Sequence, residues 1–75
     1  MIEINKKGKI LEGKHIGWYV LVKDDTDNSG GFYIFMSKNE NFTGGLDEGY
    51  DSWLEDAKLI ENYFEVAKWK IEWLE

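Results

Sequence analysis

Trp18-Tyr19-Val20-Leu21-Val22-Lys23 and Phe32-Tyr33-Ile34-Phe35-Met36-Ser37 decide the fold of this chain. Both stretches are rich in β-branched and aromatic residues, which suit a pleated surface. Side chains alternate between the faces of a strand, so Trp18, Val20 and Val22 share one side while Tyr19 and Leu21 take the other. In the second stretch Phe32, Ile34 and Met36 alternate with Tyr33 and Phe35 in the same way. Between them, Asp24-Asp25-Thr26-Asp27-Asn28-Ser29-Gly30-Gly31 concentrates residues that favour turns and positive φ. Residues 17–37 therefore predict an antiparallel hairpin that is apolar on both faces. Antiparallel sheets commonly pack one face on a core and leave the other to water, so a second apolar face calls for a partner, a second copy, or cover from the chain's own ends.

Working outward, only one amphipathic helix is available to cover that sheet. Ser52-Trp53-Leu54-Glu55 matches a capping box, with Asp51 suited to the positive end of a helix dipole. Trp53, Ala57, Ile60, Phe64 and Ala67 recur at intervals of four, three, four and three, predicting a helix over about 52–67 whose stripe meets the sheet. The tail admits two periods. Continuing the stripe adds Ile71 and Leu74, whereas a strand sets Trp69, Ile71 and Trp73 on one side and Lys70 and Glu72 on the other. The strand is preferred, because large aromatic and branched residues two apart suit a pleat. Upstream, Lys9-Ile10-Leu11-Glu12 between Gly8 and Gly13 reads as a first strand or as a hairpin arm with Ile2–Ile4. The expected fold is a single α+β domain, 1–75, with an antiparallel sheet of three to four strands, one helix on one face and a C-terminal strand.

Composition narrows the function classes. A hydrophobic share of 43% and an aromatic share of 16% are enough for a packed interior. The chain has no cysteine, which excludes a disulfide framework, a thiolate metal site and a cysteine nucleophile, and agrees with a cytoplasmic setting. No stretch approaches the roughly 20 apolar residues of a membrane span, and the N-terminus lacks the apolar run of a signal peptide, so no membrane partner is expected.

The net charge of −6 is unevenly placed. Residues 1–39 carry six lysines against five acids, a balance of +1, whereas residues 40–75 carry three lysines against ten acids, a balance of −7. Every Lys/Arg position is a lysine, so the guanidinium fork that grips phosphate and guanine is absent, and nucleic acid is not an expected partner. An acidic surface speeds encounter with basic proteins, although it also serves solubility alone.

Candidate chemistry is sparse. Asp25-Thr26-Asp27-Asn28-Ser29-Gly30 resembles the first half of an EF-hand calcium loop, but its twelfth position is Met36 where the loop needs a bidentate acid, so an acidic hairpin turn is the better reading. His15 is the single histidine and has no companion ligand. The acid pairs Asp24/Asp25 and Glu55/Asp56 read as solvated, and no nucleophile, base and orienting group fall together, so no enzyme, cofactor or metal is expected. Tyr19, Tyr33 and Phe35, with Trp69 or Trp73, remain as aromatics beyond the core face. Tyrosine and tryptophan are enriched in interface cores.

Gly17–Asp25, Gly30–Phe35 and Tyr50-Asp51-Ser52-Trp53-Leu54-Glu55-Asp56 together resemble small acidic bacterial proteins of the immunity type, across about the last three quarters of the chain. That resemblance implies a non-enzymatic inhibitor that neutralises a toxin by binding it, its acidic surface meeting a basic protein. It carries over no functional residue. The expected contact residues are Tyr19, Tyr33 and Phe35 as anchors, with Asp51, Glu55 and Asp56 as steering acids. Two other readings stay open: a structural domain that forms a homodimer through the second sheet face, and a calcium- or small-ligand-binding domain.

Overall fold

A computed structural model of the chain describes residues 2–40 and 49–74, with the backbone alone at 49 and 50. The irregular connection expected over residues 39–49 falls mostly outside those residues. Five strands, β1 (Lys7–Glu12), β2 (Tyr19–Asp25), β3 (Gly31–Ser37), β4 (Gly49–Leu54) and β5 (Lys70–Trp73), and one helix, α1 (Ala57–Ala67), make an α+β fold. The sheet has the order β4-β3-β2-β1-β5 and is antiparallel throughout. The two hairpin strands are its centre. Val22 stands opposite Ile34, Val20 opposite Met36 and Leu21 opposite Phe35, so the period-two pattern of each strand matches across the pair.

One face forms the core. Ile10, Val20, Val22 and Ile34 are fully buried from the sheet side, Met36 is nearly so, and Ile60 of α1 closes over them. Fully burying an Ile or Val side chain contributes about 1.5–3 kcal/mol, so this small cluster holds much of the stability. Of the expected stripe, Ile60 and Ala67 are buried and Phe64 is packed against the core, but Ala57 is exposed. Ile2 also packs on this cluster, so the N-terminal segment joins the helix side and is no hairpin arm for residues 9–12.

The helix starts later than the capping box implies. Ser52, Trp53 and Leu54 lie in β4, paired with Ile34, Tyr33 and Phe32, and α1 begins only at Ala57. The N-cap is Asp56, in extended backbone, whose carboxylate accepts from the Leu59 N–H at 3.0 Å. A local cap signal at Ser52 loses to a ladder of backbone hydrogen bonds with β3, and Asp56 supplies the same chemistry four residues on. The helix ends at Lys68, which adopts the left-handed conformation (φ 57°, ψ 40°) and returns its N–H to the Phe64 and Glu65 carbonyls. The chain can then run back as β5 beside β1, with Ile71 and Trp73 half-buried and Lys70 and Glu72 exposed, the alternation expected of a C-terminal strand.

Candidate protein-binding face

The strand registers also fix what the other face presents. Residues that stand opposite one another share a face, which yields three rows across the sheet. The first is Trp53–Tyr33–Lys23, the second Asp51–Phe35–Leu21–Lys7, and the third Ser37–Tyr19–Lys9–Glu72. Among the described residues no helix lies on these rows, because α1 packs on the opposite side through Ile60. Tyr19, Leu21, Tyr33 and Phe35 are half-buried, and Trp53 keeps 45% of its surface in solvent. The Tyr33 and Phe35 rings, two apart on one strand, stack with centroids 5.5 Å apart and planes 14° apart. The result is a contiguous aromatic and aliphatic strip on β2, β3 and β4, with Asp51 on one flank and Lys7, Lys9 and Lys23 on the other.

Two contacts hold the strip in place. The Trp53 indole Nε1–H donates to the Ser29 hydroxyl at 2.9 Å, which ties β4 to the hairpin turn. Gly31 makes room for that indole, since a Cβ there would stand 2.6 Å from the ring and 2.5 Å from the Leu54 carbonyl oxygen. At the other end the Lys7 ammonium donates to the Glu40 carbonyl at 3.2 Å, and this bounds the strip where β3 is left behind.

The residues expected to meet a partner divide between the two sides. Tyr19, Tyr33, Phe35 and Asp51 come together on the helix-free face, with Asp51 directly opposite Phe35. Glu55 and Asp56 do not join them. They lie between β4 and α1, and the Asp56 carboxylate is engaged as the helix cap. Trp53, expected in the helical stripe, belongs to the helix-free face. Its strand position was hidden because Tyr50-Asp51-Ser52-Trp53-Leu54 mixes polar and apolar residues at both odd and even positions and so shows no alternation. Trp69 and Trp73 are on the helix side: the Trp69 indole donates to the Lys14 carbonyl at 2.6 Å and meets Phe64 edge-on at 4.9 Å, while Trp73 stacks on Phe64 at 6.3 Å.

The remaining candidates have structural employment. Asp24 accepts from both the Thr26 N–H (3.0 Å) and the Thr26 hydroxyl (2.7 Å), and these bonds, the backbone one foremost, hold its carboxyl below the ordinary aspartate range. The Asp25 carboxylate takes the Asn28 amide at 3.3 Å, and its carbonyl takes the Asn28 and Ser29 N–H groups. Met36, at the twelfth position of the calcium-like loop, faces the core with 4% exposure. His15 stacks on Trp18 at 4.5 Å. No group of three or more His, Cys, Asp or Glu that could hold a metal ion is present among the described residues. An open groove of about 670 Å³ between α1 and β5 is lined by Ile2, Phe64 and Trp73, but its charged residues Glu61, Glu65, Lys68 and Lys70 are all exposed, so it lacks the buried convergent polar groups that orient a small ligand. Among the described residues no helix is long and apolar enough to cross a membrane. Comparisons with protein-family models, with curated proteins and with solved structures gave no match.

Proposed function

We propose that the chain is a non-enzymatic protein-binding module of the immunity type, which inhibits a basic protein by docking it on the helix-free face of the sheet. The observation that carries this reading is the strip Tyr19, Leu21, Tyr33, Phe35 and Trp53, set on the sheet with no covering helix among the described residues. Large aromatic side chains with few rotatable bonds are the residue types that dominate binding energy once desolvated. The net charge of −6 supports a basic partner through long-range steering. Steering and anchoring then act from different sides, since the acids of α1 face away from the strip and only Asp51 sits beside Phe35.

The test is capture from cell extract at low and high salt with the wild-type chain, with Phe35→Lys on the strip, and with Glu65→Lys on the exposed side of α1. A basic protein that is captured, identified and rebound in purified form should be lost with Phe35→Lys at every salt concentration, while Glu65→Lys slows association and keeps the complex. Retention of the same protein by Phe35→Lys would remove the face from the mechanism.

A further inference from the structure

We infer that, when no other protein occupies it, the helix-free face is covered by a second copy of this chain, in a two-fold dimer whose central rows pair with themselves. This rests on the reading of that face as a binding surface and adds the occupant. Consider a two-fold axis running along the strand direction between β2 and β3. Rotation about it keeps the position along the strands and exchanges the two sides, so β3 of one copy lies over β2 of the other and β4 over β1. Each row then meets its own copy. In the second row Phe35 falls on Leu21 of the second copy and Asp51 on Lys7, and symmetry makes both contacts twice. In the first row Tyr33 falls on Lys23, a cation over an aromatic ring. Thus acid meets base and ring meets aliphatic at the positions that the strand registers give for this axis. Asp51 and Lys23 are exposed and make no ion pair among the described residues, and the Lys7 ammonium, which donates one N–H to the Glu40 carbonyl at 3.2 Å, keeps further donors for Asp51 of the second copy.

Size sets the strength. Four strands about 4.8 Å apart and three rows about 6.7 Å apart give a footprint of roughly 400 Å² per copy, about half that of a standard stable interface. Two sheets packed in this aligned way would make a sandwich with a dimer that forms and dissociates over micromolar concentrations. Such a dimer protects the aromatic strip without blocking a tighter partner.

Sedimentation velocity of the purified chain from micromolar to near-millimolar concentration tests this. The wild type is expected to shift from monomer to dimer across that range. Asp51→Lys should weaken the dimer about tenfold, because two attractive pairs become repulsive. Lys7→Asp should do the same, and the double swap Asp51→Lys/Lys7→Asp should restore association. Phe35→Lys should abolish it, with far-UV circular dichroism confirming that the variant is folded. A wild-type chain that stays monomeric throughout, or a dimer unmoved by Asp51→Lys and Phe35→Lys, overturns the inference. A monomer whose capture of a partner still depends on Phe35 would overturn the dimer alone and leave the binding face standing.

Discussion

Gly13→Ala should remove a large share of the stability of this domain, whereas Gly17→Ala, a change of the same kind four residues on, should not. Both glycines have positive φ, +101° at Gly13 and +88° at Gly17, so an alanine at either carries a backbone strain of about 1–2 kcal/mol. Their surroundings differ. A Cβ on Gly13 would collide with the backbone carbonyl of Lys68 and stand 2.6 Å from that of Ala67, while at Gly17 nothing lies within 4 Å. Backbone atoms cannot swing aside, so the loop after β1 must lift away from the end of α1. That breaks the Lys14 N–H bond to the Ala67 carbonyl (3.0 Å) and the Trp69 indole bond to the Lys14 carbonyl (2.6 Å). At about 1 kcal/mol each, these losses bring Gly13→Ala to about 3–4 kcal/mol. A domain of this length has about 4–11 kcal/mol in all. Urea unfolding followed by tryptophan fluorescence and by far-UV circular dichroism measures the difference. If the two variants unfold at the same urea concentration, the packing of the β1–β2 loop on the helix end is wrong.

Other substitutions address the helix ends and the hairpin turn. Lys68→Gly relieves a left-handed non-glycine residue at the helix stop and should raise stability by about 0.5–1 kcal/mol in the same unfolding assay; a loss would contradict the φ of 57°. Asp56→Ala should cost about 1 kcal/mol and Asp56→Asn much less, whereas Ser52→Ala at the rejected cap should leave helix content in circular dichroism unchanged. Because the Asp24 carboxyl is held low in the fold, its contribution is in place above the ordinary carboxylate value of about 4 and fades as pH falls through the lower folded value. In an NMR titration Asp24 should ionise below the ordinary aspartate range, and Thr26→Ala should raise it only part of the way, since the backbone bond remains; an Asp24 that titrates at the ordinary value in the wild type would refute the turn geometry.

The residues that read correctly from sequence are those whose period matches their surroundings. The hairpin strands announce themselves because both of their faces carry apolar residues at nearly every position, and the tail declares a strand because Trp69, Ile71 and Trp73 alternate with Lys70 and Glu72. β4 does not, since an edge strand with Asp51 and Ser52 at its middle shows no alternation, and Ser52-Trp53-Leu54-Glu55 offers a plausible local helix start that only pairing with β3 overrules. The stop at Lys68 was hidden for a similar reason, as a lysine in left-handed conformation leaves no glycine or asparagine to mark it. For the candidate face, Tyr19, Tyr33 and Phe35 were legible by alternation alone. Trp53 became visible only with the register, although Gly31 beside Phe32 was a usable hint that something large packs against the start of β3.

The contact role of the helix-free face is tested most directly by amide and indole NMR signals of the labelled chain as the captured protein is added. Leu21, Tyr33 and Phe35 amides, Asp51, and the Trp53 indole N–H that now donates to Ser29 should shift together, with Glu61 and Glu65 on α1 left in place. Shifts confined to α1 and the groove beside β5, with the Trp53 indole unmoved, would contradict that role.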